Sequence, residues 1–184
     1  MNRILATLFC VIAVSACSPR GRSQGTEQFA YRDLRLVYPK SFELVSLPDN
    51  LDTTVISFSL AARGGGKSGI DFGISEFEED FLSTVPSQEL MGELVATLFD
   101  MKGRLFSMPG VIVENFGEPV LSNPGERPEV YAFAIAKVNG KTVYYTISSM
   151  IAGHYNVNSV SFASDPQDMQ ALNEIIENIY INPI

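Results

Sequence analysis

The amino-acid sequence predicts an α+β domain in which an antiparallel β-sheet is covered by helices on both faces, in three layers. Three patterns carry this prediction. Several segments alternate apolar and polar residues, two longer segments have helical periodicity, and Asn139-Gly140 separates two long, mostly apolar segments. Asn-Gly is the strongest two-residue signal for a β-hairpin, and antiparallel strands with one internal and one terminal helix favour a layered α+β domain.

Composition narrows the class of protein. The chain has 184 residues, 46% hydrophobic and 18% charged, which is typical of a globular domain. A net charge of −8 argues against nucleic acid as a partner, since phosphates attract basic surfaces. Two Cys and one His are too few for a Cys/His zinc site. We therefore expect no nucleic-acid partner, no metal site and no cofactor.

The N-terminal residues predict export and lipid attachment. An apolar run from Ile4 to Val14 follows the basic Arg3. Its eleven residues are too few for a spanning helix, which needs about 20, and suit a secretory signal. Val14-Ser15-Ala16-Cys17 resembles the lipobox of bacterial lipoproteins, in which cleavage between the residues here numbered Ala16 and Cys17 leaves an acylated Cys.

These residues define the expected organisation of the chain. Residues 1–16 form the signal peptide, 17–30 the lipidated Cys and a flexible tether, and 31–184 a single domain. The resemblance to the lipobox implies that Cys17 carries three acyl chains. Two or more acyl chains anchor a protein stably to a membrane. Ser18 at the next position is associated in that family with the outer membrane. The alternative is an ordinary secretory signal that leaves Cys17 as a free thiol.

Alternation predicts the strands. Leu34, Leu36 and Tyr38 form one strand, stopped by Pro39. Residues 56–60 and 70–74 form two more, joined as a hairpin by a glycine-rich loop. Residues 129–138 and 141–151 pair around Asn139-Gly140, and a two-residue loop places Ala136 opposite Val143. Both faces of this hairpin are largely apolar, so we expect both to be covered. Residues 155–163 form a further strand, with a bulge between Val157 and Val160 where the apolar parity shifts.

Helical periodicity appears twice. Residues 87–102 have an apolar stripe, with Ser87 as the expected N-cap and Lys102-Gly103 as the stop. A last helix starts after Asp165 as N-cap and Pro166 as first residue. Its apolar stripe is Met169, Leu172, Ile175, Ile176 and Ile179.

Two motifs suggest catalysis or binding, but structural explanations fit them better. Gly-Lys-Ser at residues 66–68 suggests a phosphate-binding loop, but Ala61 occupies its first Gly position and a strand follows instead of a helix. The acidic run Glu76, Glu78, Glu79 and Asp80 lacks the spacing of a calcium loop, and we interpret it as a solvated strand end.

The remaining candidates also favour structural interpretations. His154 is the only His and lies where a turn is expected, and no Gly-x-Ser-x-Gly nucleophile motif accompanies it. We assign no catalytic residue. Three Met and two Phe cluster around the first helix (Met91, Met101, Met108, Phe99 and Phe106), and we expect core packing, with an adaptable binding surface as the alternative.

The segment from Leu34 to Phe42 resembles the strand–Pro–aromatic opening of PsbP-like domains. A central helix, a late hairpin and a closing helix with an apolar tail at residues 175–181 follow the same layout. Together with the lipobox and the chain length, this is similar to DcrB-type periplasmic lipoproteins. The resemblance implies an antiparallel sheet between helical layers, and accessory or binding proteins rather than enzymes. It transfers no functional residue to this chain.

The expected function is that of a periplasmic accessory protein without catalytic activity, lipid-anchored to the bacterial envelope at its outer membrane, which binds an envelope protein. One alternative is a small-ligand-binding or hydrolytic domain with a pocket near the glycine-rich loop or His154. Another is a mainly structural component of the envelope.

Overall fold

The computed structural model describes residues 25–46, 54–65, 67–77, 85–122 and 127–181. Within these ranges the strands are β1 (Thr26–Tyr31), β2 (Leu34–Pro39), β3 (Phe42–Ser46), β4 (Val55–Ala62), β5 (Ser68–Glu76), β6 (Val111–Phe116), β7 (Val120–Ser122), β8 (Glu129–Val138), β9 (Lys141–Ala152), β10 (Tyr155–Ala163) and β11 (Ile179–Ile181). The helices are α1 (Ser87–Phe106) and α2 (Asp168–Glu177).

The strands form two antiparallel sheets. The larger sheet has the order β3-β4-β5-β10-β9-β8-β6, and β7 also pairs with β8. The smaller sheet has the order β1-β2-β11, so the last described strand closes onto one of the first. The strand β1 begins at Thr26, upstream of residue 31 where the sequence placed the start of the domain. Part of the segment assigned to the tether is therefore a strand.

The two predicted hairpins are present. The strands β8 and β9 pair in the predicted register, with Ala136 opposite Val143 and Ala132 opposite Ile147. Asn139 and Gly140 have φ values of 50° and 80°, the left-handed conformations that this tight turn requires. The strands β4 and β5 form the second hairpin, joined by the glycine-rich loop.

One face of the large sheet is covered by α1 over part of its area. Leu90, Leu94 and Leu98 of this helix pack on Val130, Ala132, Ile147 and Ile151 of the sheet. The small side chains of β8 allow the helix to lie close to the strand. The helix starts with Ser87 after Pro86, without a side-chain cap, and passes Gly103 to end at Phe106. The helix starts at the first residue of the predicted range, but Ser87 is its first residue and not its N-cap, and the predicted stop at Lys102-Gly103 was wrong.

The other face is covered by α2 together with the small sheet. Leu172 and Ile175 pack in one cluster with Leu36, Phe58 and many further core residues of both sheets. The expectation of helical layers on both faces is therefore met only in part, because a small sheet supplies much of the second cover. Pro166 precedes α2 by two residues, and Asp165 accepts a hydrogen bond from the Gln167 amide at 2.9 Å instead of capping the helix.

Neither helix in the described part of the chain is long and apolar enough to cross a membrane.

Candidate functional site

Buried hydroxyl groups interrupt the apolar face of the large sheet under α2. Thr146 and Ser148 of β9 lie opposite Ser161 and Ser159 of β10, and all four are at most 4% exposed. We call these four residues the hydroxyl strip. It explains the shift of apolar parity along β10. The register of β10 is regular with both neighbours, so the predicted bulge was wrong. Serines occupy inward positions and Val160 faces the other way.

Half of the hydroxyl strip has no hydrogen-bond partner. Ser148 and Ser159 hydrogen-bond to each other, with 2.8 Å between their Oγ atoms. The hydroxyls of Thr146 and Ser161, one register step away, are buried and have no partner. A buried polar group without a partner costs free energy, and most buried polar groups in native proteins are paired. In native proteins such exceptions include hydroxyls that bind an ordered water, an ion or a ligand.

The strip leads into an open cleft of about 370 Å³ between the large sheet and α2, here called the strand–helix cleft. Thr146 and Ser148 line it together with Tyr131 and Phe133 of β8, which lie directly opposite Ser148 and Thr146 respectively. Asn173 of α2 lines the other side, and its Oδ1 atom is also buried without a partner. The residues that carry these unpaired atoms therefore lie on both walls of the same cleft.

Charged side chains surround this cleft. Glu129 and Glu177 contribute carboxylates, and Arg127 a guanidinium group. The Nη1 atom of Arg127 donates to the main-chain carbonyls of Glu177 and Ile179, each at 3.2 Å. Its charge is thus held at the C-terminal end of α2, where the helix dipole is negative. The formal charge of the lining residues is negative.

Exposed apolar side chains lie on the same face of the sheet as the cleft, on β8 and on the two strands at its edge. Phe133 is 51% exposed, Val120 of β7 41% and Ile112 of β6 66%. Val120 lies opposite Tyr131 and Ile112 opposite Lys137, so both share the face of Phe133. We call these three residues the apolar rim. The ring of Phe133 packs edge-on against Tyr131, with 5.4 Å between ring centroids.

His154 lies in a different place, in a polar cluster at the turn between β9 and β10. Its Nε2 atom is 3.5 Å from Glu76 Oε1 and 3.8 Å from Asp33 Oδ1. The hydroxyl of Tyr155 donates to Asp33, and Arg32 forms an ion pair with Glu76. These contacts join the β1–β2 turn to the ends of β5 and β10, so the cluster has a structural role.

Burial raises the pKa of Tyr155, whose hydrogen bond to Asp33 and proximity to two carboxylates act in the same direction, while Arg32 opposes them.

Glu76 is half-buried in this cluster, with a side-chain exposure of 16%. The interpretation of Glu76 as part of a solvated strand end was therefore wrong, and Glu78, Glu79 and Asp80 lie outside the described residues. In the described ranges no group of three or more His, Cys, Asp or Glu is arranged to hold a metal ion.

The glycine-rich loop is anchored by Arg63. This side chain donates to the Phe42 carbonyl at 3.0 Å and to the Glu27 carboxylate at 3.1 Å. The strand β5 follows the loop, which is the context expected for a hairpin and unlike that of a phosphate-binding loop. The sequence-based alternative placed a pocket near this loop or His154, and neither His154 nor the described residues of the loop line the strand–helix cleft.

The methionine and phenylalanine residues around α1 divide into two groups. Met91, Met101 and Phe106 are partly buried against the core beneath α1, as expected. Phe99 and Met108 are 45% and 54% exposed. Ala16 and Cys17, the predicted cleavage and lipidation residues, lie outside the described residues.

Sequence reasoning missed the residues of the strand–helix cleft. The available signal was the pattern Val157, Ser159, Ser161, Ala163, which has two serines at alternate positions within an otherwise apolar face. Their alignment with Thr146 and Ser148 depends on the β9–β10 register, which the sequence alone did not define.

Comparison with known proteins identifies the fold. No family model and no curated protein matches the chain. Among solved structures, cyanobacterial PsbP (CyanoP) from Synechocystis sp. PCC 6803 is similar over 91% of this chain and 98% of its own, with a TM-score of 0.53 and 11% identity. LpqN of Mycobacterium tuberculosis, described as involved in cell envelope biogenesis, is similar over 86% and 91%, with a TM-score of 0.51 and 16% identity.

A protein from Bacteroides thetaiotaomicron is similar over 87% of this chain and 49% of its own, with a TM-score of 0.53 and 8% identity. The fold of this chain is therefore PsbP-like, consisting mostly of antiparallel sheets with two helices in the described residues. At these identities the likeness concerns the fold alone.

Proposed function

We propose that this chain is an accessory protein of the bacterial cell envelope that binds a partner protein through the strand–helix cleft and the apolar rim. The apolar rim is the observation that carries the proposal. Ile112, Val120 and Phe133 expose apolar surface on one face of the sheet, beside a cleft with unpaired polar atoms. Exposed apolar side chains next to polar groups are typical of protein interaction sites.

The envelope location is supported by the N-terminal sequence. Val14-Ser15-Ala16-Cys17 resembles a lipobox, so acyl chains on Cys17 would hold the domain at a membrane. Ser18 favours the outer membrane. The same fold in LpqN, described as involved in cell envelope biogenesis, and the resemblance to DcrB-type lipoproteins agree with this location.

Binding is favoured over catalysis by the position of the candidate groups. The only His contacts two carboxylates in the cluster that joins β1–β2 to the large sheet, away from the cleft. The cleft itself presents hydroxyls, an amide, carboxylates and aromatic rings. These groups suit recognition of a partner, and we propose that the protein acts without a chemical step.

Two sets of variants test this proposal. Cys17→Ala should release the protein from the membrane fraction while its circular dichroism spectrum is unchanged. Ile112→Ser and Phe133→Ser should each reduce cross-linking to the envelope partner in intact cells by about tenfold, the effect of losing an interface contact worth about 1.4 kcal/mol.

Val55→Ser is the matched control for the rim variants. Val55 is 65% exposed, similar to Ile112, but lies on β4 at the far side of the sheet order. It should leave cross-linking unchanged. Equal losses with all three serine variants, or no cross-linked partner with the unaltered protein, would contradict binding through the rim. Retention of the Cys17→Ala protein at the membrane would contradict the lipid anchor.

A further inference from the structure

The unpaired atoms of the strand–helix cleft specify a ligand that donates hydrogen bonds. The oxygen of a side-chain amide only accepts, and Asn173 Oδ1 has no donor. The Thr146 hydroxyl, from the opposite wall, can also accept and is itself unpartnered at 4% exposure. Both residues line the cleft between β9 and α2, where a bound ligand would supply the donor that these acceptors lack.

Charge selects a cation among the possible donors. Glu129 and Glu177 line the cleft, and Arg127, the one cationic residue among the described residues that line it, already donates to two carbonyls at the end of α2. Glu129 accepts one hydrogen bond, from Ser122 at 3.1 Å, which leaves further acceptor positions on its carboxylate. A cation in this space would gain charge-assisted hydrogen bonds.

The aromatic wall suits an alkyl chain that ends in this cation. Tyr131 and Phe133 present rings at the open side of the cleft, opposite Ser148 and Thr146 in the sheet register. Aromatic faces attract ammonium groups, and the methylene stem of a lysine packs on apolar surface while its head group reaches polar atoms. A cleft of about 370 Å³ is large enough for such a side chain.

We propose that the strand–helix cleft binds an alkylammonium group, supplied by a lysine side chain of the partner protein. The ammonium group carries three donors. These match Thr146 Oγ1, Asn173 Oδ1 and the carboxylate of Glu177, and Glu129 adds negative charge to the same cleft. The partner backbone would then cross the apolar rim. The source of the lysine rests on the proposed function, whereas the ammonium site itself does not.

Titration with small probes tests the site directly. The probes are the peptide acetyl-Ala-Lys-Ala-amide and the same peptide with its lysine Nε-acetylated, followed by NMR of the full chain. We expect saturable shifts at the Asn173 side-chain amide and at Phe133 for the lysine peptide, and at least tenfold weaker binding of the acetylated peptide. Equal binding of both peptides, or shifts spread over the whole surface, would overturn the site.

Variants locate the interaction. Glu177→Gln should weaken binding of the lysine peptide about tenfold, and Thr146→Val should weaken it severalfold. Glu174→Gln is the matched control, because Glu174 lies on the same helix, pairs with Gln170 at 3.2 Å and does not line the cleft. Equal effects of both glutamine variants would indicate general attraction to an acidic protein and overturn the proposal.

A free diamine identifies the source of the ammonium group. Cadaverine should bind more weakly than the lysine peptide, and only the peptide should be weakened by Val120→Ser, because Val120 belongs to the apolar rim and does not line the cleft. Tighter binding of cadaverine would overturn a protein lysine as the ligand. Lysine binding without any cross-linked envelope partner would refute the proposed function alone, whereas a partner that binds equally to the Glu177→Gln protein would refute this inference alone.

Discussion

Substitutions in the hydroxyl strip should have opposite effects on stability at adjacent register positions. Thr146→Val replaces an unpaired buried hydroxyl with a methyl group of similar size. A buried hydroxyl without a partner costs about 1–3 kcal/mol. We therefore expect the free energy of unfolding to increase by about 1–2 kcal/mol, which corresponds to a rise in Tm of about 2–4 °C per kcal/mol for a chain of this length.

The neighbouring hydroxyl pair provides the control. Ser159→Ala removes the 2.8 Å hydrogen bond to Ser148 and leaves that hydroxyl buried without a partner. The free energy of unfolding should decrease by about 1–2 kcal/mol. Both substituted residues are buried on the same face of the sheet. A difference in burial therefore does not explain why one substitution raises the free energy of unfolding and the other lowers it.

Urea-induced unfolding followed by circular dichroism measures both effects. The midpoint should rise for Thr146→Val and fall for Ser159→Ala, with an unchanged dependence on denaturant. A decrease in stability for Thr146→Val as large as that for Ser159→Ala would refute the reasoning, because it would show that the Thr146 hydroxyl is satisfied in the free protein. Loss of lysine-peptide binding together with increased stability would identify Thr146 as a residue kept for binding.

The remaining predictions concern the sheet and its buried tyrosines. Gly69→Ala should destabilise the protein by about 2 kcal/mol or more in thermal unfolding, because the new Cβ would lie 2.7 Å from the Leu60 carbonyl and 2.8 Å from the Phe162 ring. Gly73 in the same strand has open space around its position, so Gly73→Ala should change stability by less than about 1 kcal/mol. Equal effects of the two variants would contradict the packing of β5. Burial raises the pKa of Tyr155 above its ordinary value of 10.0, so above about pH 10 the unfolded chain loses a proton that the folded protein keeps. The free energy of unfolding should therefore fall as the pH rises, and it should fall less steeply in Tyr155→Phe. Identical dependence of stability on pH in the two proteins would contradict this assignment.

Local patterns predicted the hairpins because their signals are local. Asn139-Gly140 defines the turn, and the turn defines the β8–β9 register. The end of α1 depends instead on tertiary packing. Leu105 and Phe106 contact core clusters beneath the helix, so the helix continues through Gly103. The edge strand β6 exposes most of its residues and therefore lacks the alternation by which strands are recognised.

The candidate site depends on pairing between distant segments. Nothing in the sequence distinguishes Thr146 and Ser161 from other polar residues. Their hydroxyls lie opposite each other, buried and without hydrogen-bond partners, only when β9 and β10 pair. Asn173 joins them because α2 packs across the same face. The inward serines of β10 were interpreted as a bulge because an apolar inward face was assumed. The cleft residues of β7, β8, β9 and α2 could not be grouped without the pairing of these segments.

Site-specific photo-crosslinking in intact cells tests the central claim most directly. A benzophenone amino acid at position 120, beside the cleft, should cross-link the full chain to one envelope protein, and excess lysine peptide should reduce the product. The same amino acid at position 55, whose native Val55 is 65% exposed on β4, should give little product. Equal cross-linking from both positions, or a product that the lysine peptide does not reduce, would contradict partner binding at the strand–helix cleft.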